Sequence, residues 1–122
     1  MPIANLTGKN NHTFAGHYIT PEVQLYTDGA CNSLFKAGGW AFALVHPKKT
    51  LTRSDCEPDT TNNRMEMTAV LEGLKALKRP CAIEIISDSS YVLQGMCSWM
   101  VKWKRYGWRL PNGANVKNLD LW

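Results

Sequence analysis

The chain has 122 residues, which makes one domain, long enough to bury a core without disulfide staples. Hydrophobic residues are 44% and charged residues 20%, which excludes a disordered or collagen-like chain, and no apolar run approaches the length of a membrane span. The net charge of +4 is modest, but it is unevenly placed: Lys102, Lys104, Arg105, Arg109 and Lys117 precede Asp120 with no intervening acid, interleaved with Trp99, Trp103 and Trp108. Basic residues among aromatics suit a nucleic-acid backbone as well as they suit a solvated face over a Trp core. Cys31, Cys56, Cys81 and Cys97 form no C-x-x-C pair, and no secretory signal opens the chain. Free thiols and a cytoplasmic location are expected.

Residues 1–20 are polar, Asn-rich and without a period, and read as a loose leader before a domain spanning 21–122. Val23, Leu25 and Thr27 alternate with polar neighbours and predict a strand ending at the Asp28-Gly29 turn signal. Residues 38–46 predict a second strand, His46-Pro47-Lys48-Lys49 a hairpin turn, and 50–56 an edge strand. Met67, Val70, Leu71, Leu74 and Leu77 predict a helix over 64–78, closed by Arg79-Pro80. The apolar run 83–88 predicts a central strand. A helical pattern over 89–105 breaks near Gly95, a loop covers 107–115, and 116–122 begin another helix. The expected fold is α/β: a three-stranded antiparallel meander, a helical crossover to a parallel strand, and helices packed on the sheet.

Three acids stand out. Asp28 and Asp88 each end an apolar strand, and parallel pairing of 23–28 with 83–88 would bring both to one carboxyl edge, the usual ligand crevice of such sheets. Stepped at 100° per residue, Glu66 falls on the apolar arc of its helix with Met65, Met67, Ala69 and Val70, while Arg64, Thr68, Glu72, Lys75 and Lys78 occupy the other arc. A buried-face acid calls for a partner or a cation. Three converging carboxylates favour a hard divalent ion, Mg²⁺ or Mn²⁺. Each acid also has a local alternative: Asp28 in the Asp-Gly turn, Glu66 in a capping box opened by Asn63, and Asp88 as a helix N-cap.

Tyr26-Thr27-Asp28-Gly29-Ala30-Cys31, Gly38-Gly39-Trp40-Ala41, Thr60-Thr61-Asn62-Asn63-Arg64-Met65-Glu66-Met67, Ser87-Asp88-Ser89-Ser90-Tyr91-Val92, Trp103-Lys104-Arg105-Tyr106-Gly107-Trp108 and Val116-Lys117-Asn118-Leu119-Asp120-Leu121-Trp122 closely resemble bacterial type 1 ribonuclease H, in order and from about Val23 to the last residue. The resemblance implies the ribonuclease H-like fold and cleavage of the RNA strand of RNA–DNA hybrids with two divalent ions. Asp28 would bridge both metals, and Glu66 and Asp88 would complete the first site. In the two-metal scheme one ion activates water and the other stabilises the leaving oxygen, about 3.5–4 Å away.

By the same resemblance, Asn62 and Asn63 read the hybrid minor groove, and Cys31 and Ser33 supply backbone contacts to 2′-hydroxyls. Thr61 and Asn118 belong to a DNA-phosphate pocket. Trp99, Trp103, Lys104 and Arg105 form a basic protrusion that grips the DNA strand. The sequence departs from the family at Asn32-Ser33-Leu34-Phe35-Lys36-Ala37, where the usual Asn contact falls on Leu34. Ser90 replaces a longer amide in the contact set, and Asp59 stands where relatives carry an Arg. The family's last strand, catalytic His and last helix with the fourth acid have no counterpart before Trp122, and Asp120 matches a helix position and not that acid.

This leaves a second reading as a hybrid-binding module with weak or no cleavage. A third, another nuclease or integrase of the superfold, is disfavoured by the Thr-Thr-Asn-Asn-Arg-Met-Glu block. The shortened end also predicts an unpaired edge on the strand 83–88, with self-association or recruitment of a complementing C-terminal segment.

Overall fold

The computed structural model describes the backbone of residues 3–8 and all of residues 21–122. Five strands form one sheet: β1 (Ile3–Gly8), β2 (Val23–Asn32), β3 (Ala37–His46), β4 (Lys49–Glu57) and β5 (Ala82–Ser87), in the order β1-β5-β2-β3-β4. β2, β3 and β4 are the antiparallel meander, and β5 runs parallel to β2. The expected α/β class and strand directions hold. No helix among the described residues is long and apolar enough to cross a membrane.

Alternation places Val23, Leu25 and Thr27 of β2, Phe42 of β3, and Ile83, Ile85 and Ser87 of β5 on the buried face. Helix α1 (Asn62–Lys75) covers that face with Met65, Met67, Ala69 and Val70. Thr61 is its N-cap, accepting a hydrogen bond from the Arg64 amide at 3.2 Å. Thr68, expected on the outward arc, is buried. Its hydroxyl donates to the Arg64 carbonyl at 2.7 Å, so the polar group is satisfied within the helix itself.

Three expectations change. Residues 3–8, expected within a loose leader, form β1 and pair in parallel with β5 from Ile3↔Ala82 to Gly8↔Ser87. The outer edge of β5 is therefore covered, which removes the reason given for association through it. Ladder bonds are made by backbone groups, so an aperiodic polar segment can fill an edge that its side chains do not advertise. The rest of the predicted leader lies outside the described residues.

Second, the 89–105 pattern does divide into two α-helical pieces at Gly95, but the join is a helical turn of another kind and not a gap. Helix α2 (Ser90–Gln94) runs through a wider π turn at Gly95–Trp99 into α3 (Met100–Arg105). Third, residues 116–122 form turns rather than a helix. Asn118 sits at φ 58°, a left-handed conformation that stops a right-handed helix and that Asn tolerates. The end of the chain is nonetheless well packed. The Trp122 ring lies against Gly95, where any side chain would collide with it, and 5.5 Å from both the Tyr91 and Trp103 rings.

Candidate metal centre and nucleic-acid interface

The β2–β5 pairing ends at Tyr26↔Ile86. Continuing the same register sets Asp28 opposite Asp88, two residues past the last pair. α1 brings Glu66 to the same place from the covered face. One carboxylate oxygen from each of Asp28, Glu66 and Asp88 lies within 4.8 Å of the others. Asp28 and Asp88 are exposed and Glu66 is half-buried, so an ion there would remain open to water and substrate.

The local alternatives for these acids do not fit. β2 continues through Asp28-Gly29 to Asn32, so there is no turn at that dipeptide, although the Asp28 carboxylate does accept the Gly29 amide at 3.0 Å. Thr61, not Asn63, caps α1, which puts Glu66 beyond the reach of a capping box. Ser89, not Asp88, caps α2, accepting from the Val92 amide. The donor set is three hard carboxylate oxygens with water access, which fits Mg²⁺ or Mn²⁺ and not a soft-ligand metal.

Beside the acids lies an open groove of about 680 Å³, lined by Cys31, Ser33, Lys36, Asp59, Thr60, Thr61, Asn62 and Asn63. The predicted contacts Cys31, Ser33, Thr61, Asn62 and Asn63 thus meet along one wall. Their positions are fixed by local bonds: Asn62 Oδ1 accepts the Cys31 amide at 2.6 Å, and the Thr60 amide donates to the Lys36 carbonyl at 2.8 Å. The turn that departs from the family pattern closes on Asn32, whose side-chain oxygen accepts the Leu34 and Phe35 amides. It leaves Leu34 and Phe35 81% and 73% exposed. Lys36 was not anticipated. It enters the groove because φ of 52° at this position turns the chain back into β3.

Trp99 and Trp103 belong to an aromatic ladder. Tyr91, Trp99 and Trp103 stand in sequence with centroids 5.7 and 5.8 Å apart, and Trp108 and Trp122 flank Trp103. A second groove, of about 720 Å³, is lined by Trp99, Lys102, Trp103, Tyr106, Arg109, Leu110 and Pro111. Lys104 and Arg105 are exposed on α3 outside that lining, so Lys102 and Arg109 are the cations beside the rings. Ser90, the first residue of α2, is exposed and lines neither groove.

Asn118 and Asp120 are tied to α1. Arg64 donates to both Asp120 carboxylate oxygens, at 2.9 and 2.7 Å, and to Asn118 Oδ1 at 3.4 Å. Asn118 Nδ2 reaches the Tyr91 hydroxyl at 3.1 Å. The Arg64 hydrogen bond holds the Asp120 carboxyl below its ordinary range. Asp120 is thus committed to an ion pair and stands outside the acidic cluster. Burial pushes the Cys97 thiol up, and all four cysteines are free.

The RNase H family profile matches residues 20–122. The chain is 53% identical to "Ribonuclease H" of Rhodopirellula baltica over 105 residues, covering 82% of this chain and 66% of the relative. It is 48% identical to "Ribonuclease H" of Bordetella pertussis over 101 residues, covering 83% of this chain and 65% of that one. The chain therefore spans slightly less than two thirds of these curated relatives. Among solved structures it is similar to LC9-RNase H1, described as a type 1 RNase H with the type 2 active-site motif, with a TM-score of 0.68 and 30% identity over 88% of this chain and 57% of that one. The foamy viral protease-reverse transcriptase in complex with dsDNA shares the fold, with a TM-score of 0.70 at 21% identity, over 84% of this chain and 70% of that one.

Proposed function

The chain belongs to the RNase H family, and on that premise we propose that it hydrolyses the RNA strand of RNA–DNA hybrids. The observation that carries this reading is the meeting of Asp28, Glu66 and Asp88 within 4.8 Å, beside the groove walled by Asn62 and Asn63. Bound divalent ions, Mg²⁺ or Mn²⁺, would supply a nucleophilic water and neutralise charge on the scissile phosphate. Asp28, Glu66 and Asp88 would hold the cations, with substrate phosphate and water supplying the remaining ligands. In the hydrolysis the water oxygen would bond to phosphorus and release its proton to solvent, while the bond from phosphorus to the 3′ oxygen breaks and that oxygen takes a proton from solvent.

The remaining residues select and hold the duplex. Cys31, Ser33, Asn62 and Asn63 face the sugar edge of the hybrid, where the 2′-hydroxyl separates RNA from DNA. Thr61 and Asn118, joined through α1 and Arg64, hold a DNA phosphate. Trp99, Trp103, Lys104 and Arg105, together with Lys102 and Arg109, form the basic aromatic surface for the DNA strand. The free thiols suit a reducing cytoplasm.

The test is cleavage of an end-labelled hybrid in Mg²⁺ and in Mn²⁺, against duplex DNA, duplex RNA and single strands. Metal-dependent cutting confined to the RNA of the hybrid, lost in Asp28→Asn, is expected. Tight hybrid binding without cutting in either metal would replace this reading with that of a hybrid-binding module.

A further inference from the structure

We propose that Leu34 and Phe35, at the tip of the β2–β3 turn, are an apolar wedge that enters the minor groove of the bound hybrid and opens a base step there. They are 81% and 73% exposed, the two most exposed large apolar side chains among the described residues. Ser33 and Lys36, on either side of them in the chain, line the groove beside the acids, and the pair itself stands outside that lining. The wedge is therefore at the lip of the groove that holds Asn62 and Asn63, and the proposal rests on the reading that a hybrid lies there.

The tip is held in place. Asn32 Oδ1 accepts the Leu34 amide at 3.0 Å and the Phe35 amide at 3.4 Å, so one side chain fixes the backbone of both. Both feet of the turn are bonded to the segment that enters α1. On one foot the Cys31 amide donates to Asn62 Oδ1 at 2.6 Å, and on the other the Lys36 carbonyl accepts the Thr60 amide at 2.8 Å. Leu34 and Phe35 thus advance from a backbone whose position relative to Asn62 is set. A pair presented this way gives up little backbone freedom on binding, which favours insertion.

Size selects the occupant. A specific protein interface takes about 800 Å² from each partner, and two side chains flanked by Ser33 and Lys36 supply no such surface. A nucleic-acid wedge needs only one or two residues, and Phe and Leu are among the types that insert between base steps from the minor groove. The minor groove of an A-form-like duplex is wide and shallow, so a short turn reaches its base edges. Phe35 stacks on the opened base and Leu34 fills the gap beside it.

The test is 2-aminopurine fluorescence in the DNA strand of a hybrid, scanned one position at a time, with metal withheld so that nothing is cut. The probe brightens when it unstacks, and the full chain should brighten it about twofold or more at one step. Leu34→Ser with Phe35→Ser should abolish the rise and weaken hybrid binding about tenfold, with the slope against log salt unchanged because no phosphate contact is lost. Phe35→Tyr keeps an aromatic face and should keep the rise. A mismatch at that step is already easier to open, so it should tighten binding by the parent and not by the double variant. Both side chains are exposed, so the double variant should melt with the parent. In cleavage it should raise KM and keep kcat, since the pair touches no reacting atom. A rise that survives in the double variant, or a flat scan in a chain that binds and cuts hybrids, overturns the wedge and leaves the nuclease reading standing. A chain that binds no hybrid fails the nuclease reading first and the wedge with it. A dimer in sedimentation that the double variant dissolves would make the pair a contact between copies and overturn the wedge as well.

Discussion

Gly29 of β2 meets Glu66 of α1 backbone to backbone: a Cβ at position 29 would lie 2.6 Å from the Glu66 amide nitrogen and 2.5 Å from the Met65 carbonyl carbon. No real Cβ is accommodated at such a distance, so strand and helix approach this closely only because position 29 lacks one. The approach sets the helical acid beside Asp28. Gly29→Ala should push α1 outward, at a cost of about 1–3 kcal/mol from overpacking, and weaken Mn²⁺ binding although every carboxylate remains. Thermal melts and a Mn²⁺ titration check this. Unchanged affinity would mean the close approach does not set the acid geometry.

Asp28→Asn should lose most Mg²⁺ or Mn²⁺ affinity and all metal-dependent cleavage. Without metal the same variant should be more stable, because one of three mutually repelling carboxylates has lost its charge. Relief of about 1 kcal/mol would raise Tm by roughly 4 °C in a chain of this size. Calorimetry with and without metal reads both effects, which must have opposite signs.

Replacing Lys104 and Arg105 with Ala should weaken hybrid binding for every sequence alike. It should also flatten the plot of log affinity against log salt by roughly 0.9 for each phosphate no longer neutralised. The same measurement on Lys102→Ala with Arg109→Ala decides which pair of cations carries more of the grip. Equal slopes in all proteins would leave these charges as a solvated surface.

The Arg64–Asp120 pair predicts a pH signature. Asp120 has its carboxyl held low in the folded chain, so its contribution to stability is present at neutral pH and disappears as pH falls through the folded value, below the ordinary carboxylate value of about 3.9. Asp120→Asn should therefore melt below the parent at pH 7 and approach it in acid. Paired melts from pH 7 to pH 2 check this, and a constant gap would trace the loss to shape rather than charge.

Much of this molecule is legible in local pattern. Val23, Leu25 and Thr27 announce β2 through alternation, and Met67, Val70 and Leu74 announce α1 through helical spacing. Each pattern records which face a neighbour will cover. Glu66 is conspicuous for the same reason, as a charge on the face that the pattern assigns to the core. What is not legible depends on partners distant in sequence. The residues of β1 carry no period, and only the open edge of Ala82–Ser87 makes a strand of them. Residues 116–122 read as a helix, yet the left-handed turn at Asn118 and the seat of Trp122 on Gly95 take them elsewhere. Lys36 becomes a groove residue through its backbone turn, which no propensity foretells.

The pairing of β1 with β5 bears on how the chain is made. Ile3 waits for Ala82, 79 residues later. At synthesis rates of about 5–20 residues per second, β1 is made roughly 4–16 s before its partner. Through that interval the meander can already close on its own neighbours, while the first strand has no ladder to join. Its docking belongs late in folding, after the crossover through α1 has brought β5 beside β2. Pulse-labelled hydrogen exchange during refolding should find the amides of Ile3–Gly8 protected after those of β2 and β3.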